Sequence, residues 1–101
     1  MSGFLDSLSL AGRCAVVTGG GRGIGLAIAG TLAELGARVV ITGRNRDTLR
    51  DAAAGIGQDC AIFPADISVA KDVDALAAHV AEGFGGADIL VNNAGANPYY
   101  R

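Results

Sequence analysis

Apolar residues follow two rhythms along this chain. Four short unbroken runs, Cys14-Ala15-Val16-Val17, Val39-Val40-Ile41, Cys60-Ala61-Ile62-Phe63 and Ile89-Leu90-Val91, do not alternate with polar residues. Runs of that kind predict strands covered on both faces. Between them the apolar positions recur at helical spacing. The first set is Ile24, Ile28, Leu32 and Leu35, and the second is Leu49, Ala52, Ala53 and Ile56. The third is Val69, Val73, Leu76, Ala77, Val80 and Phe84, one stripe of a helix. The pattern predicts strands over 13–18, 38–42, 60–63 and 89–91. It predicts helices over 22–35 and 46–55 and a third from residue 68.

Punctuation residues agree with these bounds. Gly36 stands where a helix C-terminal glycine belongs. Asn45 is placed to cap the second helix, and Gly55 and Gly57 stop it. Pro64 ends the third strand's use as a donor. Ser68 is expected to cap the third helix, with Asp72 and Asp74 in or near its first turn. Gly83, Gly85 and Gly86 end that helix, and residues 1–12 read as a lead-in packed on the domain's edge.

Strictly alternating strands and helices imply a parallel sheet with helices on its faces. Right-handed crossovers then favour the strand order 3-2-1-4, the opening part of a doubly wound α/β sheet. The first two helices should cover one face and the third helix the other. Strand order reverses between strands 1 and 4, so a ligand belongs outside their carboxyl ends.

The stretch at that point is Thr18-Gly19-Gly20-Gly21-Arg22-Gly23-Ile24-Gly25, a strand, a glycine turn and a helix. Glycines let backbone approach a phosphate, and the helix start offers unpaired N–H groups and a positive dipole end. The spacing is G-x-x-x-G-x-G, not the commoner G-x-G-x-x-G. By itself, a plain glycine-rich strand–helix turn would look the same.

Totals narrow the picture. The 101 residues are 50% hydrophobic, which suits one small domain with a core and not a disordered chain. A formal charge of −2 argues against a general nucleic-acid or membrane-surface binder. Residues 1–50 carry +3 and residues 51–101 carry −5, so the positive half holds the glycine turn. That fits a small anion there. No stretch resembles a signal peptide or approaches the ~18–20 apolar residues of a membrane span, so a cytoplasmic protein is expected. Cys14 and Cys60 make neither a disulfide framework nor a metal site, and both read as buried apolar residues.

The glycine motif, with Asn92-Asn93-Ala94-Gly95 downstream, resembles the short-chain dehydrogenase/reductase family. The resemblance covers essentially the whole chain and about the first half of that family's domain. It implies a Rossmann-type fold and a single partial dinucleotide-binding domain over 1–101. It also implies that the longer protein transfers hydride between a nicotinamide and a carbonyl or alcohol substrate, as a homo-oligomer. Carried onto this sequence, the dinucleotide is held by Gly19, Gly21, Arg22, Gly23, Ile24 and Gly25. Asp66 accepts from the adenine amino group and the Ile67 N–H reaches the ring. Asn92 ties the sheet by bonding neighbouring backbone, and the small Ala94 and Gly95 let backbone lie against the ribose.

An NAD site of this kind needs a carboxylate at the end of the second strand, to accept from the ribose 2′-OH. Here that position is Gly43, followed by Arg44 and Arg46 before the first acid, Asp47. Arg44 can give charge-assisted bonds to a 2′-phosphate. Arg22 is placed to reach the same phosphate, a pattern that in the family accompanies NADP. The expected cofactor is therefore NADP(H) in preference to NAD(H).

The family's catalytic residues are a serine and a Tyr-x-x-x-Lys pair. Tyr99 and Tyr100 are followed only by Arg101, and the sole lysine is Lys71. His79, the single histidine, has no neighbouring acid or nucleophile in the pattern and reads as an edge residue. The chain is thus expected to be inactive alone. A non-catalytic dinucleotide-binding module stands as the alternative, and a Rossmann-like domain for another nucleotide as a weaker one.

Overall fold

The computed structural model describes residues 9–93. In chain order these form β1 (Cys14–Thr18), α1 (Gly23–Glu34), β2 (Arg38–Gly43), α2 (Arg46–Ile56), β3 (Cys60–Pro64), α3 (Ala70–Phe84) and β4 (Ile89–Asn92). The expected positions of Ala94, Gly95, Tyr99 and Tyr100, and most of the lead-in, lie outside the described residues.

The four strands make one parallel sheet in the order β3-β2-β1-β4. This is the doubly wound α/β arrangement that the sequence pattern predicts. All five residues of β1 are buried, as are Val39 to Thr42 of β2, which explains their unbroken apolar runs. Alternate side chains feed two cores. Ala15, Val17, Val39 and Ile41 pack with Ala29 of α1 and with Leu49 and Ala52 of α2. Cys14, Val16 and Val40 pack with Leu76 and Val80 of α3. So α1 and α2 cover one face and α3 the other.

Three points of local structure go beyond or against the sequence pattern. First, in α1 the residues at helical spacing, Ile24, Ile28, Leu32 and Leu35, do not form the buried face, although Leu32 packs partly against the core. The buried residues of α1 are Gly25 and Ala29, while Ile24 is 73% exposed. The helix is apolar almost all round, so spacing alone could not choose a face. Gly25 faces inward because the helix there lies against the glycine turn, and Ala29, one turn on, packs on the sheet core. Secondly, Ser68 is not the cap of α3, whose N-cap is Val69 with no side-chain cap bond. Ser68 instead donates backbone and hydroxyl to Asp66 Oδ1, at 2.9 and 2.6 Å. A tight turn before the helix has captured it. Lastly, Cys60 is half-buried, because β3 is an edge strand of this sheet. Asn45 does cap α2, its Oδ1 accepting from Thr48 N at 3.0 Å.

Side chains pin the sheet ends. Asp88 Oδ2 accepts from Cys14 N at 2.9 Å while Asp88 N donates to Cys14 O at 2.8 Å, fixing the entry of β4 beside β1. Arg38, at the start of β2, donates to Gly83 O and lies over the Phe84 ring at 4.4 Å. His79 is exposed and packs on Phe63, with ring centroids 4.8 Å apart. It is the edge residue that the sequence suggests.

Thr42 is fully buried in β2, and its Oγ1 has no hydrogen-bond partner among the described residues. An orphaned buried hydroxyl costs about 1–3 kcal/mol. Thr42→Val keeps the shape and removes that cost, so it should stabilise the fold by about 1 kcal/mol. Urea unfolding of the two proteins checks this, and an unchanged or lower midpoint would show that the hydroxyl is satisfied in solution.

Candidate functional site

At the carboxyl end of β1 the backbone cannot continue the sheet. Gly19 N still donates to Thr42 O at 2.8 Å, then a positive φ of 68° at Gly19 turns the chain outward. The loop returns into α1 at Gly23, also at positive φ (54°). Gly25, in the first turn, lies so near the loop that a Cβ there would strike Gly19 O and would sit 2.7 Å from Asn93 Nδ2. Spacing of the glycines is thus a packing requirement of the turn. The N-cap of α1 is Arg22, and no side chain caps the helix. Its first-turn N–H groups are left to an outside acceptor, with the dipole's positive end behind them.

The end of β4 closes the turn from the other side. Thr18 Oγ1 donates to Asn92 Oδ1 at 3.2 Å, across the β1–β4 pair. Asn93 Nδ2 donates to Gly19 O at 3.4 Å, holding the glycine loop itself. In the sequence pattern Asn92 has an implied role in the sheet and Asn93 has none of its own. Which of two adjacent asparagines faces the loop depends on where the strand ends, and no local signal carries that.

Two hollows flank the turn. One, of about 550 Å³, is lined by Gly19, Thr42, Gly43, Arg44, Ala65, Asp66, Ile67 and Ser68. Asp66 is held ionised there: the Ser68 hydroxyl and then the Ser68 N–H keep its carboxyl below the usual range, with Arg44 adding a smaller pull. Its own N–H donates to Asp72 Oδ2 at 2.8 Å, which fixes the turn. An ionised carboxylate can accept from an amino group while a neighbouring backbone N–H donates to the ring that bears it. The other hollow, about 170 Å³, is bounded by Gly19, Gly21, Arg22, Gly43, Arg44, Asn45, Thr48 and Leu49. It brings together both arginines that the sequence suggests, with no carboxylate lining it. Thr48 carries no signal in the sequence, since only tertiary packing brings it to Arg22.

Other chemistries find little support among the described residues. No group of three or more His, Cys, Asp and Glu residues there could hold a metal ion. Burial pushes the Cys60 thiol up to about 11 and raises that of Cys14 as well. Both stay protonated at neutral pH and are poor nucleophiles. None of the described helices is long and apolar enough to cross a membrane.

The family model for short chain dehydrogenases matches residues 13–100. The chain belongs to this family. Among the proteins similar to this chain is the rhamnolipids biosynthesis 3-oxoacyl-[acyl-carrier-protein] reductase of Pseudomonas aeruginosa. The two are 47% identical over 91 residues, 88% of this chain and 36% of the relative. The solved Pseudomonas aeruginosa RhlG/NADP active-site complex is 47% identical with a TM-score of 0.81, over 90% of this chain and 38% of that one. L-sorbose reductase from Gluconobacter frateurii, solved with NADPH and L-sorbose, is 42% identical with a TM-score of 0.83. That match covers 88% of this chain and 35% of the reductase. The chain therefore spans somewhat over a third of the length of such relatives.

Proposed function

We propose that this chain is the NADP(H)-binding portion of a short-chain dehydrogenase/reductase. In this reading residues 1–101 form a partial dinucleotide-binding domain. The longer protein, working in the cytoplasm as a homo-oligomer, moves hydride between the nicotinamide and a carbonyl or alcohol carbon. The observation that carries the cofactor choice is the small hollow at the end of β2, where Arg22 and Arg44 converge and Gly43 replaces a carboxylate. A 2′-phosphate meets positive charge there and no repulsion. The NADP and NADPH complexes of the two solved relatives support it.

The remaining roles are part of the same reading and rest on the family resemblance together with the loop geometry. The uncapped start of α1, over Gly23, Ile24 and Gly25, takes the pyrophosphate, with Gly19 and Gly21 keeping the loop clear of it. Asp66 and the Ile67 N–H hold the adenine. Asn92 secures β4 against β1; for Ala94 and Gly95, which lie outside the described residues, the family resemblance alone implies a place against the ribose. The bound dinucleotide supplies the hydride. Reduction of a carbonyl also needs an acid to protonate the oxygen as the hydride arrives. The sequence has no Tyr-x-x-x-Lys pair to serve as that acid. Relatives named for a 3-oxoacyl group and for L-sorbose support a carbonyl substrate, chosen by segments beyond this chain. Free thiols at Cys14 and Cys60 suit a reducing compartment.

Titration calorimetry with NADP⁺ and NAD⁺ tests the proposal. Two partly exposed arginine contacts should favour NADP⁺ by about 1.5–3 kcal/mol, tenfold and upward. Arg44→Asp should abolish or reverse that preference, because the new carboxylate repels the phosphate and accepts from a free 2′-OH. Equal affinities before substitution, or an undiminished preference after it, would defeat the assignment. The same material, free of host reductases, should oxidise no NADPH with carbonyl compounds. A module that holds the dinucleotide without turnover would bind identically. It differs in having no Tyr-x-x-x-Lys encoded after residue 101 of the native transcript.

A further inference from the structure

Arg22 does not stand alone over the small hollow. Its Nη2 donates to Thr48 Oγ1 at 3.4 Å. Thr48 is itself fixed, since its backbone N–H donates to the capping Asn45 Oδ1 in the first turn of α2. The glycine loop also rests on this side chain: a Cβ at Gly21 would lie 3.0 Å from Thr48 Cγ2. Thr48 is half-buried, β-branched and restricted at χ1, whereas Arg22 is exposed on a long flexible stem. One rigid residue therefore meets both the loop and the cation that the loop carries.

We propose that Thr48 is a positioning residue for a 2′-phosphate, holding the Arg22 guanidinium over the hollow and so setting the preference for NADP(H) over NAD(H). This rests on the cofactor reading above and adds to it. A guanidinium has five N–H donors in a planar fork, and the bond to Thr48 uses one of them at the edge. The fork is then aligned before the ligand arrives, and less side-chain freedom is lost on binding. NAD(H), which carries no phosphate at that point, gains nothing from the alignment. The effect of Thr48 should therefore appear as selectivity and leave affinity for NAD⁺ unchanged.

The test is calorimetric titration of the whole chain with NADP⁺ and with NAD⁺. Thr48→Val keeps the shape and the contact with Gly21 but removes the acceptor, and Thr48→Ser keeps the acceptor. Thr48→Val should weaken NADP⁺ binding about three- to tenfold with NAD⁺ unaffected, and Thr48→Ser should retain the original preference. In an Arg22→Ala background, Thr48→Val should add no further loss, because its effect passes through Arg22. Thermal melts confirm that each variant is folded. Equal losses for both dinucleotides would overturn the proposal by showing a general disturbance of α2. An effect undiminished without Arg22 would overturn it too. A clear NADP⁺ preference that Thr48→Val leaves intact removes this proposal and spares the cofactor reading. No NADP⁺ preference in the unmodified chain removes both.

Discussion

Gly25→Ala is expected to destabilise this domain severely, although alanine is the better helix former. In α1 the exchange should gain up to about 1 kcal/mol from propensity alone. The new methyl, however, would strike Gly19 O and crowd Asn93 Nδ2. Neither neighbour yields cheaply. The Gly19 carbonyl belongs to a turned backbone held at positive φ, and it accepts the Asn93 bond at 3.4 Å. Relief requires α1 to lift from the loop, which breaks its contact with the sheet at Ala29. Overpacking of this kind costs typically about 1–3 kcal/mol and sometimes more. A net loss of about 2 kcal/mol or beyond is expected, a large share of a small domain's stability. Gly30→Ala in the same helix is the control, since a Cβ there meets nothing within 4 Å. It should gain about 0.5–1 kcal/mol. Urea titration of both variants reads the contrast, and a neutral Gly25→Ala would show that the turn is not packed as described.

The second large effect concerns association. Beyond β4 the described sheet has no further strand, so one edge of β4 is left unpaired. Beside it Leu90 is 67% exposed. Between β4 and α3 runs an apolar hollow of about 440 Å³, with Val73, Leu76, Val80 and Leu90 in its walls. An open strand edge next to an apolar surface invites pairing with another chain. The isolated chain should therefore self-associate at micromolar concentration and bind a hydrophobic dye. Leu90→Lys places a charge on the edge at little cost to the fold, because the side chain is already exposed. It should shift light-scattering mass towards the monomer and cut dye binding several-fold. A compact monomer with no dye binding in the unmodified chain would contradict this.

Element order, strand assignment and sheet order were legible along the chain because each rests on a local signal or a general rule. Unbroken runs such as Val39-Val40-Ile41 announce strands buried on both faces, and glycines and Asn45 mark the helix ends. Alternation of the elements, with right-handed crossovers, then leaves few topologies. The neighbourhood of the site was legible for the same reason. A glycine turn after the first strand, Gly43-Arg44 after the second, and Asn92-Asn93 after the fourth must meet wherever parallel strands end together.

What the sequence left open were choices made by contact. Apolar periodicity placed α1 but not its buried face, because the helix is apolar on nearly every side. Close approach of the loop selected Gly25, and packing on the sheet selected Ala29. Ser68 looked like a cap by position, yet the Asp66 carboxylate offered its N–H and hydroxyl a nearer acceptor. Asn93 and Thr48 carry no motif signal of their own. Each acts on a residue distant in the chain, Asn93 on Gly19 and Thr48 on Arg22. The sequence by itself determined which elements form and which loops converge, since those follow from short-range periodicity and connection rules. Only the tertiary structure decided which side chains brace the turn, because bracing depends on contacts across elements that no local spacing encodes.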